Sequence, residues 1–269
     1  LSGDRDTDKH WHVAKRMKAI PHRIYIDTLD KKSLDIKTTI LGVFVDSKVP
    51  KQIFDLLPHL QLIVTFSTGF DHIDVKEAKR RKIVVCNVPH YGDYTVAQHA
   101  LTLILALSKK LFASVKRVKE GRYDYHGMRG FDLKGKTIGV IGTGHIGRQL
   151  IHLLSGFDMN IIAFDPCPDE TFAKHHATTY VSLDRLLKQA DIISLHVPLT
   201  KKTHHLLNKK NLEKTKRGVY IINTARGGLI DPAALLSGLQ SGHIAGAGLD
   251  VLEEEEIMHD PIRIFHKNF

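Results

Sequence analysis

Apolar residues in this chain fall into short dense runs, separated by stretches where they recur every three or four positions. That alternation predicts buried strands connected by amphipathic helices. In the first third, Arg23–Ile26, Ile40–Val45, Leu62–Phe66 and Ile83–Cys86 read as strands. Between them, Pro50–Leu57 and Asp74–Arg81 read as helices, with Pro50 at a helix start and Asp74 as a cap. A long helix is predicted from Tyr94, with Val96, Ala97, Ala100, Leu103, Ile104, Leu107 and Leu111 on one broad face. It is too apolar for a free surface helix, so it is expected between two layers. After a loop over 121–136 come strands at Thr137–Ile141, Ile161–Asp165, Ile192–His196, Val219–Asn223 and Ile244–Asp250. Helices are expected at Leu183–Lys188, near Lys209 and at Asp231–Leu239. Repeated strand–helix units of this kind give the α/β class with parallel, doubly wound sheets. The expected division is residues 1–92 and residues 93–269.

The most specific segment is Gly142-Thr143-Gly144-His145-Ile146-Gly147, which follows the strand Thr137–Ile141 at once. A second strand ends in Asp165, 18 residues beyond the last glycine. A glycine pattern alone is weak, but the order strand, turn, helix, strand, acid is that of a dinucleotide site. Gly142 permits the tight turn, Gly144 lets a pyrophosphate approach the backbone, and Gly147 lets helix and strand pack closely. The helix N-terminus offers N–H groups and partial positive charge to the phosphates. Asp165 accepts from the adenosine ribose. Its charge repels the 2′-phosphate of NADP, and Pro166, Cys167 and Pro168 supply no arginine to hold that phosphate. The expected cofactor is NAD.

Composition narrows the class. With 269 residues and 42% hydrophobic content the chain has room for two ordinary globular domains. The net charge of +10 is spread over scattered pairs such as Lys109-Lys110 and Lys201-Lys202, without interleaved aromatics, so no nucleic-acid partner is expected. The apolar run Ala100–Leu107 is too short to span a membrane, and no membrane partner is expected. Two cysteines, Cys86 and Cys167, give no disulfide framework, so the expected location is the cytoplasm. Eighteen histidines are present, but none pairs in a ligand motif. His175-His176 and His204-His205 are adjacent, which on a helix turns the rings apart, so no metal is expected.

Ligands of such sheets bind beyond the carboxyl ends of the strands. There the chain places Asn223-Thr224-Ala225-Arg226-Gly227-Gly228, then Asp250 and, five residues later, Glu255. An arginine at a strand end suits a carboxylate or a polarised carbonyl. In the first third, Ser67-Thr68-Gly69-Phe70-Asp71 follows a strand and could offer backbone N–H groups to an anion.

These segments, with Cys86-Asn87-Val88-Pro89, Thr95-Val96-Ala97-Gln98-His99, Ser194-Leu195-His196-Val197-Pro198 and Gly246-Ala247-Gly248-Leu249-Asp250-Val251, resemble the NAD-dependent D-2-hydroxyacid dehydrogenases. The likeness is greatest to the D-lactate dehydrogenase type. It implies a flavodoxin-like substrate domain and a Rossmann NAD-binding domain, and a homodimer built through the latter. It implies that Arg226 holds the substrate's carboxylate and carbonyl, that Glu255 pairs with the catalytic histidine, and that Asp250 meets the nicotinamide carboxamide. Ser67, Thr68 and Gly69 match the backbone site for the substrate carboxylate, and Tyr91 a tyrosine near its side chain. Thr95 and Val96 match the nicotinamide pocket. His145, Ile146, His196, Val197, Pro198, Thr224 and Ala225 match positions along the cofactor. The implied substrate is a small 2-oxo or 2-hydroxy acid, pyruvate and D-lactate first. Alternatives are another 2-hydroxyacid or a phosphite dehydrogenase, and a non-catalytic NAD(H)-sensing interaction protein, against which Arg226 and Glu255 argue.

The resemblance carries one mismatch. The family's catalytic histidine lies beyond the matched glutamate, in an apolar strand followed by a P-H pair. After Glu255 this chain offers His259 and His266, neither in that context, while His145 and His196 belong to cofactor-side motifs. The expectation is a chain without its acid–base histidine, lacking a final strand and the helix that completes the first domain, and clipped at its start. Such a chain binds NAD but turns over slowly, since loss of a general acid costs about 10²–10⁴-fold.

Overall fold

The computed structural model describes residue 29, residues 34–45 and residues 47–253. The chain divides into two compact units, one up to Tyr91 and one from Gly92.

In the first unit, strands β1 (Ile40–Val43), β2 (Leu62–Thr65) and β3 (Val84–Cys86) form a parallel sheet in that order. Helices α1 (Lys51–Leu56) and α2 (Val75–Arg80) make the two crossovers. Right-handed crossovers that advance in one direction lay both helices on one face, and α1 and α2 touch. Their buried side chains, Ile53, Phe54 and Ala78, pack with Leu41, Val43 and Ile63 of the sheet. The strand expected at Arg23–Ile26 lies outside the described residues. Asp74 caps α2 by accepting from the Glu77 N–H at 3.0 Å. Arg80 and Arg81 both donate to the Glu77 carboxylate and hold its pKa down at about 2. Arg81 also donates to the Phe54 carbonyl and pairs with Asp55, so this one guanidinium ties α2 to α1.

The second unit is built on a six-stranded parallel sheet. Its strands are β4 (Thr137–Ile141), β5 (Asn160–Phe164), β6 (Thr178–Tyr180), β7 (Ile192–Leu195), β8 (Val219–Asn223) and β9 (Ile244–Leu249). They run in the order β6-β5-β4-β7-β8-β9. The first strand therefore lies inside the sheet, and the winding reverses between β4 and β7. This is the Rossmann order, which opens a crevice at the carboxyl ends of those two strands.

Helices cover both faces. On one face α3 (Asp93–Ser108) and α5 (His145–Leu154) bury Ala97, Ala100, Ile104, Leu150, Ile151 and Leu154 against Ile138, Val140, Ile192 and Ile222. On the other face, α7 (Leu183–Gln189), α8 (Lys209–Leu212) and α9 (Pro232–Gln240) bury Leu186, Leu187, Leu212, Leu235 and Leu239 against Ile141, Ile193, Leu195 and Ile221. Asp231 caps α9, whose first residue is Pro232. Strands buried on both faces carry near-continuous apolar runs, which is why β4 and β8 fall where their sequences place them. The glycines of β9 have a packing role. A Cβ at Gly248 would lie 2.9 Å from Leu103 Cβ of α3, so the bare strand lets that helix come down onto the sheet. The expectation set α3 between two layers; this unit by itself supplies one of them.

Among the described residues, the α-helices α4 (Leu111–Lys119) and α6 (Glu170–His175) and the edge strand β6 escaped the sequence reading. The helix from Tyr94 stops at Ser108, and Lys110 takes a left-handed conformation (φ 50°) before α4 starts.

Candidate active site

The glycine loop is held at the switch point by close backbone contacts. Gly142 has φ +96°, and a Cβ there would also lie 2.6 Å from the His196 carbonyl oxygen of the loop after β7. Gly147 faces the Gly142 carbonyl so closely that a Cβ would lie 2.1 Å from its oxygen. Gly144 differs: a Cβ there meets no protein atom within 4 Å. Packing within the chain therefore explains two of the three glycines and leaves open space beside the third. The helix that begins at His145 has no side-chain cap on its first turn. Its first N–H groups and the open face of Gly144 together fit a pyrophosphate.

Asp165 stands immediately beyond β5 and reaches across to this loop. Its Oδ2 accepts from the Thr143 N–H at 2.7 Å and from the Thr143 hydroxyl at 3.1 Å. Its Oδ1 accepts from the Cys167 N–H at 2.9 Å. A carboxylate has about four lone-pair directions, so one remains for a ribose hydroxyl. The loop is braced from behind by Arg148, whose Nε donates to the Thr143 carbonyl at 2.8 Å and whose Nη1 pairs with Asp169 at 2.8 Å. The Phe172 N–H, at the first turn of α6, and Arg148 hold the Asp169 carboxyl below the usual range.

The loop after β7 closes the other side of the crevice. His196 donates its backbone N–H to Ile141 at 2.8 Å, and its ring shares a 2.8 Å hydrogen bond with Ser194. Burial pushes its pKa down to about 4, so the ring is neutral at physiological pH. Val197 joins the core edge, and the Pro198 carbonyl accepts from Thr203.

Beyond β8, Asn223 folds the chain back on itself. Its Oδ1 accepts from the Ala225 N–H and its Nδ2 donates to the Arg226 carbonyl. Arg226 Nη1 donates to the Ala225 carbonyl at 2.7 Å. The Thr224 hydroxyl is buried and has no hydrogen-bond partner among the described residues. An orphaned hydroxyl at a strand end is the kind of group a ligand satisfies. After β9, the Asp250 N–H donates to the Asn223 carbonyl, and its carboxylate lies 3.3 Å from His99 Nε2 on α3. Thr95 and Val96 lie on the first turn of the same helix, exposed and half-buried respectively.

In the first unit the turn after β2 is fastened on two sides. The buried Ser67 hydroxyl donates to the Gly69 carbonyl at 2.7 Å and lies 2.6 Å from Thr65 Oγ1. Thr68 donates to the Val88 carbonyl and accepts from Asn87 at its own. Tyr91 is exposed. Glu255, His259 and His266 lie outside the described residues.

One expectation is overturned. The chain was expected to lack an acid–base histidine, yet the structure holds histidines against carboxylates. His204 and His205 both donate from Nε2 to Glu253, at 3.1 and 2.8 Å. His145 Nδ1 lies 3.8 Å from Asp93. Linear spacing hid these pairs because their members sit on different crossovers. The adjacent histidines were expected to diverge, but His205 has φ +48°, which turns the rings onto one another at 3.9 Å.

Residues 101–269 match the family described as D-isomer specific 2-hydroxyacid dehydrogenase, NAD binding domain. The chain belongs to this family. It carries the family's Rossmann domain, and NAD is that domain's cofactor. A 2-hydroxyacid dehydrogenase homolog from Zymomonas mobilis is 38% identical over 216 residues, covering 79% of this chain and 65% of the relative. A glyoxylate reductase from Korarchaeum cryptofilum is 38% identical over 233 residues, covering 85% of this chain and 69% of the relative. The chain thus spans about two thirds of the length of these relatives. Among solved structures, D-lactate dehydrogenase from Aquifex aeolicus, complexed with NAD and lactic acid, superposes with a TM-score of 0.88 at 38% identity. That match covers 93% of this chain and 76% of the other. Among the described residues, no single helix is long and apolar enough to cross a membrane.

Two outcomes are expected of this geometry. Gly147→Ala should destabilise the fold by about 1–3 kcal/mol or more, because its methyl group meets backbone that cannot yield. Gly144→Val should change stability by less than about 1 kcal/mol yet weaken NADH binding at least about tenfold, as read by NADH fluorescence and urea unfolding. Equal effects of the two substitutions on stability would refute the assignment. His196 gives a pH signature. An unfolded chain protonates it near the ordinary value of 6.5, the folded one only near 4. Below pH 6.5 the unfolded state therefore binds the extra proton, and stability falls until about pH 4 with a slope approaching about 1.4 kcal/mol per pH unit. His196→Asn should remove that part of the slope in urea midpoints measured between pH 7 and pH 4.5.

Proposed function

We propose that the protein interconverts a small 2-oxo acid and its D-2-hydroxy acid with NAD(H), with pyruvate and D-lactate as the preferred pair. One observation carries this reading. A single edge of the Rossmann sheet bears, at the carboxyl ends of β4, β5 and β8, an open glycine loop, a strand-end carboxylate fixed to that loop, and Arg226. The D-lactate dehydrogenase from Aquifex aeolicus supports the choice of substrate within the family. The glyoxylate reductase relative keeps a shorter acid in play as the competing substrate.

Held by the glycine loop and Asp165, NADH would supply hydride chemistry for C2 of the oxo acid. Arg226 binds the substrate carboxylate and stabilises the charge that grows on the carbonyl oxygen. A histidine held by a carboxylate is placed to deliver the proton to that oxygen. Asp250 would accept from the nicotinamide carboxamide, Thr95 and Val96 would line its ring, and the orphaned Thr224 hydroxyl would meet the cofactor. Within the first unit, the turn Ser67 to Gly69 offers backbone N–H groups suited to a carboxylate, and Tyr91 is exposed, near in sequence to Asn87, which bonds that turn. Asp165 selects NAD over NADP: three donors already fix its carboxylate, and a 2′-phosphate would bring a second anion onto it.

Helix α4 supports a homodimer. Leu111, Phe112, Val115 and Val118 repeat along one face and are each at least 45% exposed. Such a stripe suits a second copy better than water.

Three measurements test these assignments. Arg226→Ala should lower kcat/KM for pyruvate by about 10²–10³-fold while leaving the NADH dissociation constant within about twofold; equal loss of both would remove the arginine from the substrate. NADH binding with no turnover of pyruvate, glyoxylate or hydroxypyruvate would favour a sensing role instead. Asp165→Ser should shrink the preference for NADH over NADPH by about tenfold or more, each charged hydrogen bond being worth about 1.5–3 kcal/mol. Phe112→Glu should shift the sedimentation coefficient from dimer to monomer; an unchanged value would exclude α4 from the interface.

A further inference from the structure

We propose that His204, His205 and Glu253 form a binding site for a divalent transition-metal cation of the Zn(II) type. The site clamps the loop after β7 to the segment after β9. Its test, uptake of the ion, does not depend on the reaction proposed above.

The three side chains converge from separate parts of the chain. His204 and His205 lie in the loop between β7 and α8, and Glu253 lies 48 residues beyond His205. The two Nε2 atoms face different oxygens of one carboxylate, at 3.1 and 2.8 Å, and the three ligand atoms all lie within 4.8 Å of one another. Zinc binds imidazole nitrogen and carboxylate oxygen at about 2.0–2.2 Å, which puts the ligand atoms of a tetrahedral ion about 3.3 Å apart. The two histidine–carboxylate distances lie close to that value. Two imidazoles and one carboxylate are a zinc donor set that leaves the fourth position for water. Binding moves each ring proton from Nε2 to Nδ1, so that both Nε2 lone pairs face the ion.

The backbone holds the arrangement in advance. Neighbouring histidines share a direction here only because His205 is left-handed, a conformation that costs an ordinary residue about 1–2 kcal/mol. The His204 N–H donates to the Thr200 carbonyl and the His205 N–H to the Gly228 carbonyl, each at 2.8 Å. Asn208 donates to the His205 carbonyl at 3.0 Å. On the opposite side, a Cβ at Gly227 would lie 2.2 Å from the Glu253 nitrogen, so only glycine lets that segment come so close. The rings are open enough for an ion to enter, with His204 half-exposed and Glu253 largely covered. An ion here would fasten two loops against Gly227-Gly228, directly after Arg226. Its expected effect is to stiffen the arginine loop.

The test is calorimetric titration of the chelator-treated chain with ZnCl₂, with CoCl₂ as a spectroscopic probe. The wild type should take up one ion saturably at this site, show a visible tetrahedral Co(II) band, and unfold at higher temperature with Zn(II) than without it. His204→Gln and Glu253→Gln should each weaken that binding by at least about tenfold and abolish the band, while circular dichroism stays that of the wild type. His205→Gln should do the same; should it fail to fold, the other two variants still decide. No saturable uptake by the wild type would overturn the proposal. So would uptake that His204→Gln and Glu253→Gln leave unchanged, since the ion would then sit among other histidines.

Discussion

The contact on which the functional half of this molecule depends is the hydrogen bond between the Thr143 N–H and the Asp165 carboxylate, 2.7 Å long. It joins the turn after β4 to the end of β5, the two strands that begin a nucleotide-binding sheet. The bond satisfies a loop amide, and it also points the carboxylate along the edge where the open side of Gly144 lies. Arg148 reinforces it from the far side by holding the Thr143 carbonyl and Asp169. The loop is therefore shaped by the protein before any ligand arrives. Little ordering is left for binding to impose, and the same amide, carboxylate and helix terminus can serve a dinucleotide repeatedly.

Placement of the remaining groups follows from sheet order. Because every strand of the six is parallel, all carboxyl ends lie on one edge, and residues far apart in sequence become neighbours there. Asp250 bonds back to Asn223, Asn223 shapes the Arg226 turn, and His99 meets Asp250. The buried Thr224 hydroxyl, orphaned among the described residues, sits within this group.

Legibility from sequence tracked burial. Strands β4 and β8 were readable to the residue because both faces are buried and the apolar run is continuous. The glycine loop and Asp165 were readable because their spacing is local. Strand β6 was missed: it is three residues long, lies at the sheet edge and reads Thr-Thr-Tyr, with no apolar run. Helix α4 was merged into its predecessor because the break is a left-handed Lys110, which carries no sequence signal as glycine would. The histidine–carboxylate pairs were hidden for a different reason. They form only once crossovers bring separate loops together, and His205 defeats the rule that neighbours diverge by adopting a positive φ. Spacing alone holds no information on either point.

The most direct measurement is a crystal structure of this chain grown with NADH. The adenosine ribose hydroxyls should lie within hydrogen-bond distance of Asp165, the pyrophosphate over Gly144 and the first turn of α5, and the nicotinamide toward Asp250 and Arg226. A dinucleotide bound elsewhere, or bound here with Asp165 released from Thr143 and turned away from the sugar, would contradict the central claim.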